Sequence, residues 1–97
     1  MAIIETMTFR PRAGVDEAEF LAVDKRLQTE FAYQQPGLVR RTTARGADGT
    51  WVVIDVWQTA DHADAMSARW DTDALAGEFM AHVEADTVEI RRYTTLD

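Results

Sequence analysis

From Ile3 to Arg10, β-branched and aromatic residues alternate, with Ile3, Met7 and Phe9 on one parity and Ile4, Thr6 and Thr8 on the other, until Pro11 stops the run. This predicts a first strand. The period then changes. Asp16 stands where a helix cap belongs, Glu19 occupies the capping-box position, and Val15 and Phe20 are spaced as a hydrophobic staple. Phe20, Val23, Leu27 and Phe31 fall on one helical face, the pattern fades at Gln34 and Gln35, and Pro36 followed by Gly37 forbids its continuation. A helix of about five turns is expected.

Leu38 to Arg45 and Thr50 to Gln58 return to strand chemistry, joined by Gly46, Ala47, Asp48 and Gly49, residues that hairpin turns prefer. The second of these strands is apolar on both parities: Val52, Ile54 and Val56 on one, Trp51, Val53 and Trp57 on the other. It requires cover on both sides. A helix follows from about Ala60 to Trp70, with Thr59 as its cap and Ala63, Met66, Ser67 and Trp70 inward. After Asp71, Thr72 and Asp73, a shorter helix to about Val83 turns Leu75, Phe79 and Val83 inward, and Thr87 to Thr95 reads as a last strand.

The order β, α, β, β, α(α), β over residues 1–97 predicts a single α+β domain of ferredoxin-like βαββαβ plan, a four-stranded antiparallel sheet with its helices on one face. The other face is left bare. An apolar sheet face of that size marks an interaction surface, and a second copy can cover it by two-fold symmetry, closing two sheets into a dimeric α+β barrel. A homodimer is therefore the first partner expected.

Net charge narrows the other partners. At −7 the chain repels nucleic acid and anionic lipid, and no run approaches membrane-spanning length, so neither nucleic acid nor membrane is expected. With no cysteine there is no disulfide, thiolate nucleophile or thiolate zinc site. The opening residues lack a basic stretch followed by an apolar one, which makes the cytoplasm the expected location.

Two titratable groups attract attention. Asp24 lies about 55° from the centre of the first helix's apolar stripe at 100° per residue, near enough to look into a cleft between helix and sheet. There a carboxylate could take a proton from a phenol, although an edge position paired with an arginine is the simpler structural reading. His82 shares an inner face with Leu75 and Phe79 and could serve as acid or base, or rest half-buried against backbone. His62, beside Asp61 and Asp64, has no metal-ligand spacing to it, and no metal site is expected. Arg40 and Arg41 have opposite parity, so one points to each sheet face, and one of them is expected to pair with Asp55 across the hairpin. Aromatic residues, including Trp51 and Tyr93, can stack on a planar ligand or simply fill the core. No flavin or nicotinamide fingerprint is present, so no cofactor is expected.

Ile3-Ile4-Glu5-Thr6 opening the first strand, Gln35-Pro36-Gly37-Leu38 closing the first helix, and Asp55-Val56-Trp57-Gln58-Thr59 leading into the second together resemble the antibiotic-biosynthesis monooxygenase family of the dimeric α+β barrel superfamily. The resemblance covers nearly the whole chain and implies a pocket between sheet and helices in each subunit. It implies a cofactor-independent oxygenase acting on a small planar aromatic molecule, with Asp24 or His82 as base and Trp70, Met7, Phe9, Phe31, Trp57 and Phe79 around the ligand. A non-catalytic ligand-binding or dimerisation module on the same fold is the alternative. The haem-degrading branch has an asparagine where Met7 stands, which counts against haem degradation although Trp70 and His82 approximate that branch's tryptophan and histidine.

Overall fold

The computed structural model describes residues 1–97. Strands β1 (Ile3–Phe9), β2 (Leu38–Arg45), β3 (Trp51–Trp57) and β4 (Glu89–Thr94) form one sheet in the order β2-β3-β1-β4, antiparallel at every pairing. Helix α1 (Glu17–Glu30) joins β1 to β2, and α2 (Ala60–Trp70) with α3 (Ala74–Met80) joins β3 to β4. This is the ferredoxin-like α+β fold. No helix is long and apolar enough to cross a membrane.

The helix starts form as their capping residues dictate. Asp16 accepts a hydrogen bond from the Glu19 amide, Thr59 from His62 and Asp73 from Ala76, each satisfying an amide with no partner inside its helix. The ends depart from the periodicity. Helix α1 stops at Glu30 and a tighter 3₁₀ turn covers Ala32–Gln34. That turn brings the Tyr33 hydroxyl to the edge strand β2, where it accepts from the Arg41 amide at 2.9 Å and donates to the Arg41 carbonyl at 3.2 Å. The open backbone groups of one edge-strand residue are thereby closed. Helix α3 ends at Met80, short of Val83, which instead bridges Pro11.

Gly37 is required by its surroundings. Its φ is +83°, and a Cβ there would stand 2.2 Å from the His62 ring. Its carbonyl accepts from the Gln58 amide at 2.8 Å, tying the start of β2 to the end of β3. A bulge follows between Leu38 and Arg40, which turns Arg40 outward and Arg41 toward the helices.

All three helices lie on one face of the sheet. The core there is aromatic: Phe20 stacks on Trp51 at 4.7 Å between ring centroids, and the Phe79 ring meets Phe9 edge-on at 5.6 Å. Such pairs add about 0.5–1.5 kcal/mol each beyond burial alone. On β3 the parity of Trp51, Val53, Asp55 and Trp57 is buried, and the opposite parity, Val52, Ile54 and Val56, is only half-buried beside Ile4, Thr6 and Thr8. No helix covers that second face.

Candidate functional site

The register places one charged residue from each strand in a single row across the helix-facing side of the sheet: Arg41 on β2, Asp55 on β3, Glu5 on β1 and Arg92 on β4. Each end of the row is anchored by a helix. Asp24 on α1 accepts from Arg41 Nη2 at 2.7 Å and from the Thr43 hydroxyl at 3.1 Å, and Gln28 accepts from Arg41 Nη1 at 3.1 Å. At the other end Glu5 accepts from Arg92 Nη2 at 2.8 Å and Nε at 3.2 Å, while Arg92 Nη1 donates to Asp64 on α2 at 2.8 Å.

Between these anchors the sheet and the C-terminal end of α2 enclose a cavity of about 250 Å³. Its walls are apolar where Met7, Val53, Met66, Trp70 and Ile90 contribute, and its polar groups are Glu5, Arg41, Asp55, Ser67 and Asp71. Trp70 is held by Phe31 and Phe79, both meeting its ring edge-on at 6.0 Å. A flat indole wall of this kind suits a planar ligand.

Asp55 is the unusual group. It is 9% exposed, its Oδ1 is buried without a hydrogen-bond donor, and the nearest cation, Arg41 Nε, stands 4.0 Å from it. Burial pushes its pKa up from the ordinary 3.8 to about 6, against the pull of Arg41 and with the added push of the Glu5 and Asp24 carboxylates. The second orphaned atom, the Trp57 indole nitrogen, belongs to the core.

The residues expected from sequence divide between the cavity and its supports. Met7 and Trp70 line the cavity. Phe9, Phe31, Trp57 and Phe79 belong to the core cluster behind it. Asp24 is buried, but its carboxylate is engaged by Arg41 and Thr43. His82 falls in the turn beyond the shortened α3, where its ring lies flat on Phe20 at 5.1 Å, its Nδ1 is 2.9 Å from the Glu78 carbonyl oxygen, and Nε2 is 3.9 Å from Glu19. Neither Asp24 nor His82 lines the cavity.

Solved structures with the same fold place the chain among known proteins. A cofactor-independent oxygenase from Streptomyces nogalater, SnoaB, aligns over 99% of this chain and 94% of its own with 28% identity and a TM-score of 0.79, as does its asparagine-to-alanine variant. The chain shares its fold with this oxygenase and with antibiotic biosynthesis monooxygenases. A putative antibiotic biosynthesis monooxygenase from Caulobacter crescentus has the same fold over 99% of this chain and 91% of its own, with 18% identity and a TM-score of 0.77. So does Rv0793 of Mycobacterium tuberculosis, at 16% identity, TM-score 0.71, over 100% of this chain and 97% of its own. Neither a family model nor a curated protein matches the sequence.

Asp55 and Glu5 are not among the cavity groups expected from sequence, where Asp55 figures only as a partner for Arg40 or Arg41. The signal was present: each is the one carboxylate on a strand parity otherwise filled by Trp51, Val53 and Trp57, or by Ile3, Met7 and Phe9. A carboxylate on an inward strand position must be paired or must titrate.

Proposed function

We propose that this chain is a cytoplasmic, homodimeric, cofactor-independent monooxygenase that oxidises a small planar phenolic molecule in the cavity beside Trp70, with Asp55 as the proton acceptor. The observation that carries the reading is Asp55 itself. A carboxylate that titrates near 6 is ionised at neutral pH, yet is a stronger base than an exposed aspartate, the property a general base needs. Asp55 lines the same cavity as the apolar walls and the Trp70 indole, which supports a role as base toward an aromatic ligand.

The chemistry then follows from the substrate. Asp55 removes a proton from a methylene carbon activated by adjoining phenol and carbonyl groups, leaving a delocalised carbanion. The carbanion gives one electron to molecular oxygen, the two radicals combine into a peroxide anion on that carbon, and Asp55 returns the proton to make the hydroperoxide. Loss of water leaves a carbonyl on the carbon, so one oxygen atom enters the product and the other leaves as water. Arg41, which lines the same cavity, would stabilise the developing negative charge, and Asp24 holds Arg41 in place as a positioning residue. The similarity to SnoaB supports this class of reaction.

Oxygen uptake with a panel of anthrones and related tricyclic phenols tests the assignment. Asp55→Asn should lower kcat by about a hundredfold or more, the usual weight of general-base catalysis, and His82→Ala should stay within about twofold of the native chain. Unchanged uptake in Asp55→Asn overturns the role of Asp55. Ligand binding with no uptake in the native chain would leave a binding module in place of an oxygenase.

A further inference from the structure

The charges that face the cavity do not balance. Arg41 is its only lining cation, and Asp24 already neutralises it from behind at 2.7 Å. Glu5 is matched by Arg92, which also binds Asp64. Asp55 and Asp71 remain. Asp71, beyond the last turn of α2, is exposed at the mouth, and Asp55 is deep, with Oδ1 orphaned and no cation closer than 4.0 Å. An ionised carboxylate in such a place has only a distant counter-charge, Arg41 at 4.0 Å, which Asp24 already shares at 2.7 Å. The indole face of Trp70 adds a surface that attracts cations.

We infer that the cavity selects a planar ligand bearing a protonated amine and discriminates against its carboxylated analogue, the ammonium supplying the close counter-ion that Asp55 lacks. The net charge of −7 favours the same sign of ligand at longer range. The inference rests on the proposed function only in placing the ligand in this cavity. It makes no use of oxygen chemistry. An ammonium paired with Asp55 lowers the basicity of that carboxylate, so the amine is a ligand selected by the cavity and not the carbon acid of the oxygenase reading.

A matched series on one ring system separates the possibilities: 2-naphthylmethylamine, 2-naphthalenemethanol and 2-naphthoate, each titrated into the native chain at pH 8 by calorimetry, with the Trp70 indole N–H followed by NMR. The ammonium should bind about tenfold tighter than the alcohol and the carboxylate about tenfold weaker, with the spread narrowing at high salt. Asp55→Asn should remove most of the advantage of the amine, and Asp71→Asn, at the exposed mouth, only a smaller part. The preference should also shrink below pH 6 as Asp55 takes up its proton. Equal binding of amine and alcohol, or tightest binding of the carboxylate, overturns the inference and leaves the oxygenase reading standing. Failure of all three probes to bind at about 1 mM overturns it together with the cavity as the ligand site. Selective amine binding with no oxygen uptake for any substrate would sustain the inference and remove the oxygenase.

Discussion

Asp55 links stability to ionisation as well as to chemistry. Its folded-state pKa of about 6 lies above the ordinary 3.8, so between those values the folded chain holds more protons than the unfolded one. By linkage the chain is fully stabilised with respect to this group below pH 4 and loses that contribution as pH rises through 6. A shift of this size corresponds to roughly 3 kcal/mol, an upper figure given the residual exposure of the side chain. Asp55→Asn, which cannot ionise, should therefore be more stable than the native chain at pH 8 by one to about 3 kcal/mol, with the difference vanishing near pH 4. Urea denaturation of both proteins across that range reads the effect directly. A variant less stable than the native chain at pH 8 would show that the Arg41 contact outweighs the desolvation of Asp55. Gaining stability while losing activity is the pattern expected of a group kept for function.

Among the elements, the join between β2 and α2 is the most sharply determined. Gly37→Ala meets two obstacles, a backbone at φ +83° and the His62 ring, which Thr59 holds through a 2.8 Å contact at Nδ1. The substitution should cost roughly 2–3 kcal/mol, and His62→Ala in the same chain should return all but about 1 kcal/mol, the part that belongs to the backbone. Thermal denaturation of the two single variants and the double variant measures the coupling; additive losses would mean that the ring moves aside freely. This join also shows where local pattern suffices. Pro36 and Gly37 set the limit that no helix passes and Thr59 the start of the next one from sequence alone, because capping and φ restriction act within a few residues. The ends of α1 and α3 were not legible in the same way. The 3₁₀ turn at Ala32–Gln34 accompanies Tyr33 bonding to Arg41, eight residues on, and the stop at Met80 accompanies the bridge from Val83 to Pro11. The cavity was legible only in part for the same reason: Met7 and Trp70 carry an apolar periodicity, but the row Arg41, Asp55, Glu5, Arg92 exists only once four distant strands are in register.

For the whole molecule the open question is the uncovered sheet face, and Ile54 stands at its centre, flanked by Thr42 on β2 and Thr6 on β1. A half-buried Ile, Val and Thr surface of this extent, left facing water, would oppose solubility, and a second copy related by a two-fold axis can bury it against itself. The native chain should therefore sediment at about twice 10.9 kDa at micromolar concentration. Ile54→Lys puts an ammonium on the apolar face that a second copy would have to bury, which should shift the chain to the monomer in sedimentation equilibrium. A native monomer would defeat the argument from the bare face, and a dimeric Ile54→Lys would move the interface elsewhere. The variant separates two properties that one strand carries on its two faces. Ile54 points away from the helices and Asp55 toward them, so the monomer should keep the pH dependence of Asp55 if the cavity is complete within one chain. Its loss on monomerisation would instead show that pairing of the sheets sets the geometry of the row beneath the ligand.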